Sequence, residues 1–167
     1  VPTSTGKSPA DCRAAASQGA VLVVDASQSA GLFPVDVGTC QAGVIAFSGH
    51  KHLYGPRGVG VAWIRNGLRV EPLKTGGTGV RSESLLQPES RPLLYEAGTQ
   101  NIPGVAGLSA GISFVADENA GKRAAMREKA FLRLVARLLD NDGVEVHGGA
   151  SVDDFKGRAP LLSFNVR

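Results

Sequence analysis

Residues 21–28 read Val-Leu-Val-Val-Asp-Ala-Ser-Gln, and this stretch decides the fold class. Its first four residues are apolar and mostly β-branched, which is typical of a short strand buried on both faces of a parallel sheet. Two runs of the same kind follow at residues 44–48 and 59–64. Three such strands with short connections predict an α/β layered domain.

Helical patterns flank these strands. Residues 9–17 form a short predicted helix with Ser8 as its N-cap, and Asn101 can cap a second one that ends near residue 116. A third is predicted from about residue 121 to 141. The second and third carry apolar stripes at helical spacing, namely Val105, Leu108, Ile112 and Val115 on one and Phe131, Leu134, Val135, Leu138 and Leu139 on the other.

The pattern changes after the third helix. Two strand-like pieces follow, at residues 144–147 and 161–166, and two strands cannot bury a core of their own. We therefore expect residues 1–141 to belong to a large domain and residues 142–167 to begin a small α+β domain. On this interpretation the chain is truncated at its C-terminus.

Composition excludes several classes of protein. The net charge of +3 is scattered and gives no basic patch for nucleic acid. No apolar run is long enough to span a membrane, and the N-terminal residues lack the basic-then-apolar profile of a secretory leader, so a cytoplasmic protein is expected. The two cysteines, Cys12 and Cys40, are expected to be free thiols, and no Cys and His spacing suggests a metal.

Polar side chains gather where the first two strands end. Asp25 and Gln28 follow the first strand, and Ser48, His50 and Lys51 follow the second. Carboxyl ends of neighbouring parallel strands meet at one edge of a sheet, where ligands bind. These groups suit pyridoxal phosphate: the amine can form a Schiff base with its aldehyde, the carboxylate can pair with its ring nitrogen, and the amide, hydroxyl and imidazole groups can hold its ring hydroxyl and phosphate.

Four stretches also resemble a known family. Residues 24–31 (VDASQSAG), 47–60 (FSGHKHLYGPRGVG) and 95–101 (YEAGTQN) are similar to the class V aminotransferases, in the cysteine desulfurase and selenocysteine lyase branch. The glycine cluster GGTG at residues 76–79, followed by Ser82-Glu-Ser84, resembles the same branch. The resemblance implies fold type I of the pyridoxal-phosphate enzymes, with an aspartate-aminotransferase-like large domain and a mixed, mostly parallel sheet between helices.

The resemblance also implies roles for single residues. Lys51 is the lysine that forms the Schiff base and later moves a proton on the substrate. Asp25 pairs with the pyridinium nitrogen and Gln28 with the ring hydroxyl. The phosphate is bound by three residues, namely Ser48, His50 and, from the other subunit of a homodimer, Thr99.

The activity implied is removal of sulfur or selenium from cysteine or selenocysteine to give alanine, with a possible sulfur-acceptor protein as partner. In the family, the cysteine that accepts sulfur and the arginine that binds the substrate carboxylate lie in segments outside this chain. Cys12 and Cys40 match neither that cysteine nor its surroundings, so the 167-residue chain alone is expected to be inactive.

Three alternatives stay open. The protein could be a class V aminotransferase that acts on another amino acid, or a structural remnant without catalysis. The third is a nucleotide hydrolase, because residues 1–8 (VPTSTGKS) lack one residue of a phosphate loop ending at Lys7 and Ser8. Pro9 directly after this pair leaves room for a short helix at best, which weakens that alternative.

Overall fold

The computed structural model describes residues 17–80 and 83–167, without the side chain of Thr39. The phosphate-loop-like stretch, Cys12 and all of the predicted helix at residues 9–17 except Ser17 lie outside these ranges. The chain divides into two compact units, with the division between Ile112 and Ser113. The expected domain boundary near residue 141 stays a prediction about the whole fold.

The first unit is built on a mixed three-stranded sheet of β1 (Val23–Asp25), β2 (Val44–Ser48) and β3 (Gly60–Ile64) in the order β1-β2-β3. β1 pairs with β2 in parallel and β2 pairs with β3 in antiparallel orientation. A short helix, α1 (Val37–Cys40), lies in the connection between the parallel pair. The prediction that the first two strands share a sheet is confirmed.

The sheet is packed on one face. Val24 and Ile45 are 5% and 1% exposed and belong to a core with Ala26, Cys40 and Leu108, whereas Val23 is 64% exposed. Neighbouring residues of a strand face opposite sides of the sheet, so Val24 turns to the packed side and Val23 to the other. The prediction of strands buried on both faces is therefore wrong for the residues that the structure describes.

The helix α2 (Ile102–Val115) begins where the sequence predicts, because the Asn101 carboxamide oxygen accepts a hydrogen bond from the Gly104 N–H at 3.0 Å. Its packed face differs from the predicted stripe. Gly104, Leu108 and Gly111 are buried, while Val105 is 52% exposed and Ile112 is 40% exposed. The helix thus approaches its neighbours through glycine, where backbone meets backbone.

The second unit contains α3 (Ala120–Leu139) and the antiparallel strands β4 (Val144–His147) and β5 (Ser163–Val166). Its core is Phe131, Val135 and Phe155, with the two phenyl rings edge to face at 6.3 Å. Phe131 and Val135 confirm part of the predicted stripe. Leu134, which also belongs to the predicted stripe, is 50% exposed and lies outside this core.

Candidate active site

The parallel pairing of β1 and β2 brings two predicted site segments to one sheet edge. Asp25 lies opposite Ala46, and the N–H of Ala26 donates to the Ala46 carbonyl at 2.8 Å. The loop after β1 therefore starts beside the end of β2, two residues before Ser48. Asp25 and Ser48 reach the same edge because they are the last residues of two neighbouring parallel strands.

The Asp25 carboxylate is stabilised in its ionised form. Hydrogen bonds from the Ser27 side chain and the Ser27 N–H, the latter at 2.8 Å, together with the positive charge of Lys51, lower the pKa of Asp25. Partial desolvation acts in the opposite direction and is outweighed by these contacts. Asp25 is thus an anion at neutral pH, within the electrostatic influence of the Lys51 amine.

Ser27 is a site residue that the sequence analysis missed. Besides its contacts with Asp25, its hydroxyl accepts a hydrogen bond from the Ser48 hydroxyl at 3.5 Å, the long limit of such a contact. It therefore connects the loop after β1 with the end of β2. An Asp followed two residues later by Ser is a common turn pattern, in which the Asp carboxylate accepts a hydrogen bond from the backbone N–H of the Ser. This pattern is the sequence signal that could have identified Ser27.

Lys51 lies in a compact turn after β2. The Tyr54 N–H donates to the Lys51 carbonyl at 3.2 Å, and the Gly55 N–H donates to the Gly49 carbonyl at 2.9 Å. The Lys51 residue is partly buried, whereas the neighbouring His50 is exposed. The turn thus anchors the backbone on both sides of the lysine.

The loop after β1 touches this turn directly. Gly31 has φ of +88°, and a Cβ atom there would overlap the His52 carbonyl and lie 3.1 Å from the Leu53 nitrogen. A side chain at position 31 would therefore push the two loops apart. Glycine at this position sets the spacing between the segment of Asp25 and the segment of Lys51.

The other predicted site residues lie at the surface of the first unit. Gln28 follows Asp25 in the loop after β1 and is exposed. Thr99 is exposed on a third segment, between the 3-10 turn Leu93–Tyr95 and α2. The structure thus brings Asp25, Ser48 and Lys51 together, with Gln28 and His50 on the same two loops, and places Thr99 on a separate stretch.

The long irregular segment that precedes Thr99 is held by hydrogen bonds. The Arg91 guanidinium donates to the carbonyls of Arg65, at 3.2 Å, and Leu68. The Tyr95 hydroxyl donates to the Val70 carbonyl at 2.9 Å, and the Arg91 guanidinium lies over the Tyr95 ring. The segment is therefore folded back on the strand end that it leaves.

The groups at the sheet edge fit pyridoxal phosphate better than a metal. An amine suits the aldehyde, a carboxylate with a lowered pKa suits the protonated ring nitrogen, and hydroxyl and imidazole groups suit the phosphate. Across residues 17–80 and 83–167, no cluster of three or more His, Cys, Asp or Glu side chains could hold a metal ion. None of the helices in those ranges combines the length and apolar character needed to cross a membrane.

Comparison with known proteins points to the same chemistry. The family model "Aminotransferase class-V" matches residues 10–167. A probable cysteine desulfurase of Pyrococcus abyssi is 37% identical over 157 residues. The structures of the cysteine desulfurases from Thermococcus onnurineus and of CsdA from Escherichia coli align with 35% and 32% identity and TM-scores of 0.75 and 0.77.

The chain covers less than half of these relatives. The Pyrococcus match includes 89% of this chain and 37% of the relative. The two structural matches include 95% and 97% of this chain and 40% of each relative. Class V aminotransferases and cysteine desulfurases have the fold of the type I pyridoxal-phosphate enzymes and depend on that cofactor. This chain shares their fold and their cofactor dependence. The chain therefore belongs to the class V aminotransferase family, in its cysteine desulfurase-like branch.

Proposed function

We propose that the protein containing this chain is a pyridoxal-phosphate enzyme that removes sulfur from cysteine, or selenium from selenocysteine, and releases alanine. The observation that carries the proposal is the meeting of Asp25, Ser48 and Lys51 at one sheet edge, with Asp25 kept ionised beside the lysine. The cysteine desulfurases among the relatives support the substrate class.

Each of the two charged residues has one task in this proposal. The bound cofactor supplies a sink for the electrons of the bond that breaks at the substrate α-carbon. The Lys51 amine binds the cofactor aldehyde and later carries the proton that leaves the α-carbon. The Asp25 carboxylate pairs with the ring nitrogen and keeps it protonated, for which its lowered pKa is suited.

The remaining predicted residues hold the cofactor. Gln28 donates to the ring hydroxyl, and Ser48 and His50 bind the phosphate. Thr99 binds the phosphate of a second subunit, so the site is complete in a homodimer. The exposure of Thr99 on its own segment is compatible with a contact to a second chain.

The sulfur leaves the substrate to an acceptor thiol. The bond between Cβ and sulfur breaks, the sulfur forms a persulfide with the acceptor, and the carbon skeleton is released as alanine. The electron pair of the broken bond stays on Cβ, which takes up a proton, so this carbon is reduced while the two sulfurs are oxidised to the persulfide and no external oxidant is needed. A sulfur-acceptor protein is the partner that this chemistry requires downstream.

The experiment replaces Lys51 with arginine in the whole purified protein that contains this chain and adds pyridoxal phosphate. The wild type becomes yellow and releases alanine and persulfide-bound sulfur from cysteine, whereas Lys51→Arg keeps the positive charge but lacks the covalent cofactor absorbance and the turnover. Lys129→Arg, at an exposed lysine of α3, is the matched control and retains both.

Two results would contradict the proposal. A yellow wild type that yields a keto acid instead of alanine, with no sulfur released from cysteine, would identify an aminotransferase. A colourless wild type that binds ATP through Lys7 and Ser8 would identify a nucleotide-binding protein.

A further inference from the structure

We propose that Gln87 is a positioning residue for the cofactor phosphate. It ties the glycine loop, residues 76–79, to the 3-10 turn Leu93–Tyr95 that leads to Thr99, and thereby fixes the place from which Thr99 reaches the phosphate. This inference rests on the proposed function, because the role of Thr99 belongs to it. Gln87 itself touches neither substrate nor cofactor in this proposal.

The Gln87 carboxamide is bonded at both of its ends. Its oxygen accepts a hydrogen bond from the Gly76 N–H at 3.1 Å. Its nitrogen donates to the carbonyl of Leu93 at 2.9 Å and, more weakly, to that of Leu94 at 3.4 Å. One side chain therefore ties the start of the glycine loop to the 3-10 turn that precedes Thr99.

The glycine loop and the Thr99 segment also meet through their backbones. The Gly98 N–H, one residue before Thr99, donates to the Gly77 carbonyl at 2.7 Å. A Cβ atom at Gly76 would lie 3.7 Å from the Ala97 Cβ, so the two stretches are in van der Waals range. Movement of the loop would consequently move the backbone that carries Thr99.

The contacts require an amide at position 87. Glutamine offers an acceptor and a two-hydrogen donor at one planar group. Glutamate has nearly the same shape but would place a carboxylate oxygen against the carbonyls of Leu93 and Leu94. Methionine has a similar length and forms none of the three hydrogen bonds. These two substitutions separate hydrogen bonding from simple packing.

The first measurement is amide hydrogen exchange in Gln87→Met and Gln87→Glu. We expect exchange at Gly98 to be about tenfold faster in both variants, because both lose the bonds to Leu93 and Leu94 that close the loop. Exchange at Gly76 should rise in Gln87→Met alone, since a glutamate oxygen can still accept from the Gly76 N–H. Ser84→Ala is the control, since among the described residues the Ser84 hydroxyl bonds only locally, with both backbone groups of Leu86 at 3.2 Å. Unchanged exchange at Gly98 in the Gln87 variants, or an equal change in Ser84→Ala, would refute the proposal.

The second measurement is the dissociation constant of pyridoxal phosphate, followed by its absorbance, in a double-mutant cycle. We expect Gln87→Met to weaken binding about five- to tenfold in the wild-type background and to have almost no effect in a Thr99→Ala background. A residue with a merely structural role would weaken binding equally in both backgrounds.

The outcomes separate this inference from the function on which it rests. The positioning role would be overturned if Gln87→Met had equal effects in both backgrounds, or if Thr99→Ala bound cofactor like the wild type. In either case the covalent absorbance of the wild type would still support the proposed function. A wild type that never binds the cofactor covalently would overturn the function itself.

Discussion

Gly111 is the position where a single methyl group tests how the Lys51 turn is held. A Cβ atom built on Gly111 would overlap the Leu53 carbonyl and lie 3.0 Å from the carbonyl carbon of Tyr54 and 3.1 Å from the Gly55 nitrogen. All three are backbone atoms of the turn that begins at Lys51. They cannot move aside as the end of a flexible side chain could.

Two opposing effects set the result of Gly111→Ala. Alanine in place of glycine inside a helix stabilises the folded state by about 0.5–1 kcal/mol, because an alanine residue has less backbone freedom to lose on folding. Forcing a methyl group into a closely packed backbone contact costs about 1–3 kcal/mol, and sometimes more. Since the contacts are with backbone, we expect a cost of about 2–3 kcal/mol and a net loss of about 1–2.5 kcal/mol.

The assay is the free energy of unfolding in urea, with two glycine controls. Gly121→Ala places its methyl group where, among the described residues, no atom outside its own stretch of helix lies within 4 Å, so it is expected to be neutral or slightly stabilising. Gly107→Ala meets the Pro56 ring at 3.0–3.1 Å, a neighbour that can give slightly, and is expected to fall between the two. A Gly111→Ala protein as stable as Gly121→Ala would refute the argument that α2 packs on the turn through its backbone.

Two further predictions concern the loop after β1 and the second unit. Gly31→Ala strains a residue with φ of +88° and pushes on the His52 carbonyl, so we expect a loss of about 1 kcal/mol or more in urea unfolding and weaker cofactor binding by absorbance titration. The pKa of Asp154 is lowered below 3.8 in the folded state by hydrogen bonds from the Ser151 N–H, the Ser151 hydroxyl and the Ala150 N–H. Its ionised form therefore stabilises the fold above pH 3.8, and this contribution is lost as the pH falls through the lower pKa of the folded state. Asp154→Asn should therefore unfold at lower urea than the wild type at pH 6, and the difference should shrink as the pH falls below about 3.8, whereas a difference that is independent of pH would contradict this account.

The amino-acid sequence by itself determined the strands, the extent of both long helices to within two residues, and the polar edge of the sheet. Each depends on short-range patterns: β-branched runs, the Asn101 cap, and polar residues directly after a strand. Once β1 and β2 pair in parallel, Asp25 and Ser48 lie at the same sheet edge because each ends its strand. Lys51 lies near them because the turn that contains it directly follows β2. The family motifs lie in these same stretches, which is why the resemblance and the residue chemistry agree.

The tertiary structure decided which faces of those elements are packed. Helical spacing placed Val105 and Ile112 on one apolar stripe, but α2 packs through Gly104, Leu108 and Gly111. At Gly111, backbone atoms of the Lys51 turn occupy the space that a larger side chain would need. The contacts of Ser27 with Ser48 and of Gln87 with Gly76 join residues 21 and 11 positions apart. No local pattern specifies such a contact, since it depends on where the intervening chain folds back, and only the three-dimensional structure reveals it.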